Sequence, residues 1–532
     1  MTVAGKASKG LISKSCILII VVAGVERFAY KGVASNLVTY LTEEVKMSTS
    51  SAAKTVSSWS GATSMFPLIS AVLVDSYWDR YSTIAASSLL YVAGLGGLTL
   101  WAVLFSWMPI FSLFLPLYLI SVGQAGYNPS LQAFGADQLQ LDDELPCCDE
   151  AGDQKSKKKS LFFQWWYFGI ASGSLLGNSL MPYIQDTIGW GLGFTIPTIA
   201  MISSILCFLA CTRFYVRKKH HNVSNKPNEN FIHAVKISVK NALSANKLGL
   251  AARRDDLHEL ELQEKPLKDD FDASKITETD SETSDESVSV AKVILRLFPI
   301  WITLLMFAVI FQQPPTFFTK QGMAMGHTIG KTFVIPPAAF QSAITLSVVM
   351  LMPLYDKLVI PILRLITRNE KGISVLQRMG IGMVLSFLAM IVAAVVETKR
   401  LHISRLQLQG LKVELSIFWL LPQYILLGFS DVFTVVGMQE FFYTQVPATM
   451  RTIGIALCLS VFGVGSFLSA FLISAVEFFT GSNGRGNSWF SDDMNDARLD
   501  KYYWFLAWLS LMSFLVFAGL CKFYNRSSDS TN

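Results

Sequence analysis

Two ionisable side chains, Glu26 and Arg27, stand side by side in an otherwise mostly apolar stretch from Ile12 to Ala34. The stretch is long enough to cross a lipid bilayer as a helix. A charge at the centre of a membrane helix costs about 3 kcal/mol even on the mildest scale, so such residues usually face protein or water and serve a function. We therefore predict that this helix carries part of a functional site.

The spacing of Ala23, Glu26, Arg27 and Tyr30 predicts that all four lie on one face of that helix. A carboxylate that loses a neighbouring cation in a low-dielectric site binds a proton more readily. We therefore predict proton coupling at Glu26, and contact with an anionic substrate at Arg27 and Tyr30. The alternative is a fixed structural ion pair between Glu26 and Arg27.

A further charge, Asp431, interrupts a later apolar run. It needs a cation or a hydrogen-bond donor as its partner inside the membrane. Arg27 is the first candidate, and Lys31, one turn further along the first helix, is the second. We predict that Asp431 shares the proton coupling with Glu26. The alternative is an aspartate exposed to cytosolic water at the end of a helix.

Amide side chains also interrupt the apolar runs, and each can either bind substrate or hydrogen-bond between helices. Two of them precede Pro314 and Pro315, and a helix broken by proline frees backbone carbonyls beside a cavity. The amides predicted to bind substrate are Asn128, Gln312, Gln313 and Gln423.

Membrane helices must position these residues, because the chain is 52% hydrophobic and only 16% charged, against roughly 25% charged in soluble domains. Apolar runs of spanning length number about twelve, divided equally by a polar interval. We predict an all-α integral membrane protein with a six-helix bundle over residues 1–216, a cytoplasmic linker over 217–289 and a second six-helix bundle over 290–532. Two related halves are typical of transporters that rock about a central site.

The distribution of lysines and arginines among the loops predicts how the chain is oriented in the membrane. Most lysines and arginines fall in alternate loops, which predicts that both termini are cytoplasmic; Lys399, Arg400, Arg405 and Lys412 disagree, because they fall on the predicted outer side. Within the linker, Asp269 to Glu286 is acidic and predicted to be disordered. The repeat from Phe231 to Ala242 predicts a surface helix, unless it is a chance amphipathic stretch.

Patterns typical of enzymes are missing from the sequence. The six histidines have no metal-ligand spacing, and no glycine-rich loop ends in Lys-Ser or Lys-Thr. The net charge of +5 is spread over loops instead of forming one basic face, which argues against nucleic-acid binding. We predict a non-enzyme without cofactor or metal, whose partners are a small solute, protons and the bilayer.

Six blocks of the sequence resemble the plant nitrate transporter/peptide transporter family, in the proton-coupled oligopeptide branch of the major facilitator superfamily. The blocks are Glu26–Tyr30, Asp75–Tyr81, Phe134–Gln138, Trp166–Leu175, Leu376–Gly382 and Gln439–Tyr443. The resemblance implies a major facilitator fold of twelve helices and alternating access driven by protons. It also implies substrates such as nitrate, short peptides, hormones or glucosinolates. Asp75 and Arg80, after the second span, are predicted to gate the transport cycle.

Three positions depart from the family pattern. The first-helix motif of the family reads Glu-x-x-Glu-Arg or Lys, and Ala23 stands where its first glutamate belongs. Asn128 replaces a lysine that in many members pairs with the acid of the tenth helix, which here is Asp431. Phe311 aligns approximately with a histidine implicated in nitrate binding in one relative. A known nitrate site is therefore not carried over.

We predict a monomeric, proton-coupled transporter in a plant vacuolar or plasma membrane. Nitrate is the favoured substrate, because it suits a single guanidinium with neutral amides, whereas a peptide needs an acid for its amino terminus. The alternatives are a peptide, hormone or metabolite carrier of the same family, a passive or vacuolar-export facilitator, and a solute sensor that does not transport.

Overall fold

The computed structural model of the protein describes residues 14–77, 80–104, 109–141, 151–215, 297–329, 333–354, 374–408, 415–446, 451–481 and 488–529. The linker, with its predicted surface helix and acidic stretch, lies outside the described residues, and so do the predicted boundaries at 216 and 290. The predictions for these segments therefore stay predictions.

The N-terminal half is built from six long helices and one short one. They are α1 (Lys14–Ala34), the short α2 (Leu37–Glu43), α3 (Thr49–Tyr77), α4 (Arg80–Val103), α5 (Phe114–Leu141), α6 (Ala151–Thr187) and α7 (Trp190–Ala210). Helix α1 packs against α6 and α7, and α4 packs against α5 and α7. Short 3-10 turns over Ile110–Leu113 and Cys211–Phe214 adjoin α5 and α7.

Six further helices occur among the described residues of the C-terminal half. They are α8 (the span Leu297–Met323), α9 (Ser342–Leu354), α10 (Val375–Leu408), α11 (Leu421–Thr444), α12 (Arg451–Gly481) and α13 (Leu499–Asp529). Helix α10 packs against α11 and α13, and α11 packs against α9 and α12. Between α8 and α9, strand β1 (Thr328–Ile329) pairs antiparallel with β2 (Phe333–Val334). A 3-10 turn, Pro337–Gln341, leads into α9.

Within the described ranges, eight helices are long and apolar enough to cross a membrane: α4, α5, α7, α8 and α10 to α13. Helices α1, α3 and α6 are 21, 29 and 37 residues long and pack into the same bundle. The prediction of an all-α membrane protein with two six-helix halves is confirmed.

Glycines allow α1 and α6 to approach backbone to backbone. A Cβ atom added at Gly177 would lie 2.7 Å from the carbonyl oxygen of Phe28, and one added at Gly24 would lie 3.0 Å from that of Gly169. Both distances are too short for a side chain, so small residues are needed along this line, as is common between membrane helices. We call Gly24, Gly169, Gly173 and Gly177 the glycine seam. It fixes the rotation of α1 relative to α6.

The C-terminal half contains a buried ion pair near the end of α10. The guanidinium of Arg400 donates to both carboxylate oxygens of Glu397 at 2.9 and 2.7 Å, and its Nη2 also donates to the Met494 carbonyl at 2.6 Å. The side chains are 2% and 0% exposed. The Nζ of Lys399 lies 3.6 Å from the ring centroid of Trp419. Two of the basic residues that disagree with the predicted topology therefore have partners in the fold.

The two halves contact each other at the end of the molecule where α2 lies. The Nζ of Lys320 donates to Thr42 at 2.8 Å, and the amide of Gln341 donates to the Ser35 carbonyl at 2.7 Å. Helices α3 and α12 also meet, since a Cβ atom on Gly61 would lie 3.1 Å from the Gly463 carbonyl oxygen. We call this end the α2 end. The halves are closed against each other there.

Candidate functional site

A cavity of about 360 Å³ lies between the two halves. Helices α1, α3 and α6 form its wall on one side, and α8, α9, α11 and the turn before α9 form the other. The polar and aromatic residues of the wall include Tyr30, Lys31, Trp59, Ser60, Tyr167, Ser174, Asn178, Gln312, Gln341 and Asp431. A wall shared by both halves is what alternating access requires of a binding site.

Lys31 and Asp431 are the two charged residues among the described residues of this wall. They come from opposite halves, and each acts electrostatically on the other. In the described part of the chain no direct salt bridge joins them, so cavity space separates the two charges. A solute between them would meet a cation on one side and a carboxylate on the other.

Other wall residues are held in place by neighbours. The rings of Tyr30 and Trp59 lie 5.6 Å apart, and the indole N–H of Trp59 donates to the Leu117 carbonyl at 2.8 Å. The amide nitrogen of Gln312 donates to Ser60 at 3.2 Å and to Ser466 at 2.7 Å. Gln312 therefore links α8 to the opposite half and to α12.

Two acceptor atoms of these wall residues have no hydrogen-bond donor among the described residues. They are Oδ1 of Asn178 and Oε1 of Gln312, and both are buried. A buried acceptor without a donor is costly, so a donor from solute or water is needed at each. Neither oxygen is accessible to solvent in this conformation, so a solute with N–H groups would reach them only after the neighbouring side chains move.

The prolines of α8 interrupt the helix beside the cavity, directly after Gln312 and Gln313. Pro314–Phe318 forms a π-helical turn, and Pro314 and Pro315 themselves line the cavity. Because proline has no N–H, the backbone bonding shifts: the Ile310 carbonyl accepts from the Gln313 N–H at 3.0 Å, and the Gln313 carbonyl accepts from the Phe318 N–H at 2.9 Å. Two side chains add further bonds to backbone carbonyls. Gln313 donates to the Val309 carbonyl at 3.1 Å, and Thr319 donates to the Pro314 carbonyl at 2.8 Å.

Glu26 lies inside the N-terminal half, away from the cavity wall. It is 1% exposed and accepts hydrogen bonds from Tyr91 at 3.3 Å and from Gln124 at 3.2 Å. Asn128 also lies within hydrogen-bonding reach of Glu26. Glu26 therefore faces α4 and α5, whereas Tyr30 faces the cavity. The prediction that Ala23, Glu26, Arg27 and Tyr30 share one face therefore does not place them in one site, because Glu26 lies in the interior of the N-terminal half and Tyr30 lies on the cavity wall.

Arg27 is not among the described residues that line the cavity. Its guanidinium carbon lies 5.9 Å from the centroid of the Tyr30 ring, and its Nε is buried without an acceptor among the described residues. The cation that acts on Asp431 is Lys31, the second candidate of the sequence analysis, instead of Arg27.

The remaining predicted site residues are dispersed. Tyr30 and Gln312 line the cavity, whereas Gln313 is bound to its own helix and Gln423 donates to Gln321 at 3.3 Å. Arg80 is exposed at the start of α4, and the side chain of Asp75 lies outside the described residues. No group of three or more metal-ligating side chains occurs within the described ranges.

One titratable residue outside the membrane lies near the α2 end. Asp186, beyond the apolar part of α6, accepts a hydrogen bond from Asn36 at 2.9 Å. Burial, with a smaller contribution from Glu43, raises the pKa of Asp186 to about 6, against the lowering effect of the Asn36 hydrogen bond. Asn36 lies between α1 and α2, so this contact holds the end of α1 against α6.

The chain is similar to known transporters over nearly its whole length. The model of the POT family matches residues 81–490. The protein NRT1/PTR FAMILY 5.9 of Arabidopsis thaliana is 53% identical over 547 residues, covering 97% of this chain and 97% of the relative. The crystal structure of the POT family transporter PepTSo has a TM-score of 0.70 at 19% identity, covering 96% of this chain and 98% of that one. An auto-inhibited POT family peptide transporter gives 0.71 at 21% identity, covering 96% and 97%.

Proposed function

Since this chain belongs to the POT family of transporters, with NRT1/PTR proteins among its relatives, we propose that it is a proton-coupled carrier of a small zwitterionic organic solute. It is a multi-pass membrane protein with the major facilitator fold. We propose its substrate class, its coupling to protons and its transport mechanism. Because both halves line the central cavity, the transport mechanism we propose is alternating access about that cavity.

The observation that carries the proposal is the placement of Lys31 and Asp431 on opposite walls of the cavity. In the empty carrier each charge compensates the other across the space between the halves. A solute with one carboxylate and one ammonium group replaces both partners at once, and no charge is left buried without a counter-charge. Such a solute also draws the two halves together around itself.

Cavity size and the free acceptors support the same substrate class. A volume of about 360 Å³ exceeds by roughly tenfold the 30 Å³ share of one water molecule, so the cavity suits a solute of several heavy atoms. Oδ1 of Asn178 and Oε1 of Gln312 lack donors but are buried, so they become acceptors for an ammonium or amide group once the wall rearranges around the solute.

Nitrate, the substrate favoured by the sequence, is the second candidate. Lys31 is a suitable cation for nitrate, provided that Asp431 binds a proton and stops competing for it. One anion would then enter with one proton. Nitrate offers no donor to Asn178 or Gln312, and Phe311 places an apolar ring on the wall where the resemblance implied a histidine. These points favour the zwitterion.

Proton coupling is proposed at Glu26, as the sequence analysis predicted. Glu26 lies on α1, one turn before Tyr30 and Lys31, so a change in its charge acts on the helix that carries the cation of the site. Tyr91 and Gln124 donate to it from α4 and α5. Protonation of Glu26 weakens these charge-assisted hydrogen bonds.

The membrane and the orientation remain predictions. We propose that the α2 end faces the outside or the vacuolar lumen, which follows from the cytoplasmic placement of both termini. We propose that the protein is a monomer and that it lies in either the plasma membrane or the vacuolar membrane.

The test is uptake by purified protein in proteoliposomes, with dipeptides, amino acids and nitrate as labelled solutes at two pH values. Under the zwitterion proposal, both Lys31→Gln and Asp431→Asn abolish solute binding, because each removes one of two required charges. If nitrate is the substrate, Asp431→Asn retains nitrate binding and loses the pH dependence of flux.

Glu44→Gln is the matched control, because Glu44 is an exposed carboxylate away from the cavity. Wild-type uptake of every transported solute by both Lys31→Gln and Asp431→Asn would refute the site. Saturable binding without counterflow would identify a sensor in place of a carrier.

A further inference from the structure

A second pocket, of about 170 Å³, lies near the α2 end between α3 and α5. Lys54, Thr55 and Ser58 of α3 line it, and the side chains of Phe114, Leu117 and Tyr118 form the opposite wall. Trp59 lines this pocket as well as the central cavity, so its indole ring separates the two spaces. We call this space the α3 pocket.

The polar groups of the α3 pocket are suited to an oxyanion. The hydroxyl of Thr63, one turn further along α3 than Trp59, donates to the Trp59 carbonyl at 2.8 Å, as helical hydroxyls commonly do. In the described part of the chain, the hydroxyls of Thr55 and Ser58 make no such bond. Lys54 lines the same pocket, and two free O–H donors together with an ammonium group form a set of donors that matches phosphate, sulfate or carboxylate oxygens.

Lys54 also belongs to the contact between the two halves. Its Nζ lies 2.7 Å from Oε2 of Glu477 on α12, and Ser50 donates to the other oxygen of Glu477 at 2.6 Å. The backbone N–H of Thr49 donates to Asp492 at 2.7 Å. We call these three contacts the α3 latch, because they tie the first turns of α3 to the C-terminal half.

The Lys54–Glu477 pair is open to exchange of partners. The side chains are 28% and 36% exposed, and a partly exposed ion pair contributes little to stability, since water and salt screen it. An anion in the α3 pocket has the two hydroxyls as additional donors, which Glu477 does not contact. The pocket and the latch therefore compete for the same ammonium group.

We propose that the α3 pocket is an oxyanion site whose occupant draws Lys54 away from Glu477 and so loosens the α3 latch. The occupant is a free oxyanion or the phosphodiester of an anionic lipid, since the exposed side chains of Phe111, Leu115 and Tyr118 surround this end of α5. Binding there favours separation of the halves at the α2 end. The site is distinct from the central cavity and does not depend on which solute that cavity carries.

The experiment uses the full chain in nanodiscs and sulfate as the soluble probe. Sulfate affinity is measured by titration in discs of neutral phosphatidylcholine, and loosening of the latch by hydrogen exchange of the peptide that covers the first turns of α3. Faster exchange with rising sulfate concentration is the expected result. In a second experiment no sulfate is added, and the nanodiscs contain phosphatidylglycerol. If hydrogen exchange is faster only in these discs, the site binds a lipid headgroup.

Three variants separate the site from the latch. Thr55→Val with Ser58→Ala leaves the latch contacts intact and weakens sulfate binding by about tenfold, because charge-assisted hydrogen bonds are lost. Glu477→Gln removes the competitor and strengthens binding. Lys54→Met abolishes it. Ser203→Ala, an exposed hydroxyl on α7 that bonds its own helix at 2.8 Å, is the matched control and changes nothing.

The proposal is overturned if neither sulfate nor phosphatidylglycerol changes exchange in α3. It is also overturned if the hydroxyl variant binds as tightly as the wild type, or if Glu477→Gln weakens binding. Because Glu477→Gln and the hydroxyl variant shift affinity in opposite directions, a general loss of folding cannot produce the expected pattern.

Discussion

Breaking the buried ion pair of α10 should be more damaging than removing it altogether. Glu397 is 0% exposed and Arg400 is 2% exposed, so neither charge has water to replace a lost partner. Glu397→Met or Arg400→Met alone leaves an uncompensated buried charge, which typically costs about 3–5 kcal/mol in the free energy of unfolding. Arg400→Met also leaves the Met494 carbonyl without its donor at 2.6 Å, which adds about 1 kcal/mol.

The double variant Glu397→Met/Arg400→Met should recover most of this loss. Two apolar side chains of similar volume carry no desolvation cost, and such replacements of buried pairs are often neutral. We expect the double variant to lie within about 2 kcal/mol of the wild type, which gives a coupling energy of several kcal/mol between the two positions.

The assay is equilibrium unfolding of purified protein in mixed micelles by titration with sodium dodecyl sulfate. All four proteins of the cycle are measured at one pH and one protein concentration. Lys399→Met, whose ammonium lies over the Trp419 ring and outside the pair, is the control and should change stability by less than about 1 kcal/mol. Additive losses in the double variant would refute the reasoning, because they would show that the two charges do not depend on each other.

Three further predictions concern packing, pH and coupling. Gly177→Leu should prevent recovery of folded protein by size-exclusion chromatography, because its Cβ would lie only 2.7 Å from the Phe28 carbonyl oxygen, whereas Gly519→Ala, with open space around it, should behave as wild type. The raised pKa of Asp186, about 6 against an ordinary 3.8, means that the folded state binds more protons between these values. Stability should therefore fall as pH rises from about 4 to about 6, and Asp186→Asn should remove that slope in a thermal-unfolding series; an unchanged slope would contradict it. Glu26→Gln should remove the pH dependence of net flux while sparing exchange of labelled solute; retained pH dependence would place the proton elsewhere.

The fold could be predicted from the sequence because the bilayer acts as a simple solvent. A spanning helix needs about twenty apolar residues whatever it packs against, so composition and run length suffice to count the spans. The break in α8 was equally predictable, since Pro314 and Pro315 cannot donate to the helix whatever surrounds them. The contacts between helices could not be predicted, because they depend on which face of each helix packs against its neighbours, and run length does not specify that face.

The site shows this limit most clearly at the first helix. Arg27 and Lys31 are one turn apart and differ by about 40° around the helix axis, so periodicity cannot decide which of them faces the cavity. Packing against α6 decides it, and Lys31 lies on the wall with Tyr30. From the sequence, Lys31 is only the second candidate partner of Asp431. Trp59, Asn178 and Gln341 were missed because single polar or aromatic residues in apolar runs carry no pattern of their own.

The glycine seam has a consequence for how such a carrier can change over evolutionary time. At the seam the backbones of α1 and α6 approach closely, and the four glycines rather than the residues that α1 presents to the cavity allow this approach. A substitution at Tyr30, which contacts none of the seam glycines, changes the chemistry of the cavity wall while the seam stays intact, and one at Lys31 must keep the Cβ that packs against Gly177. Selection can therefore act on substrate choice and on architecture separately, and a lineage can acquire a new solute through one codon on α1 while the seam stays fixed.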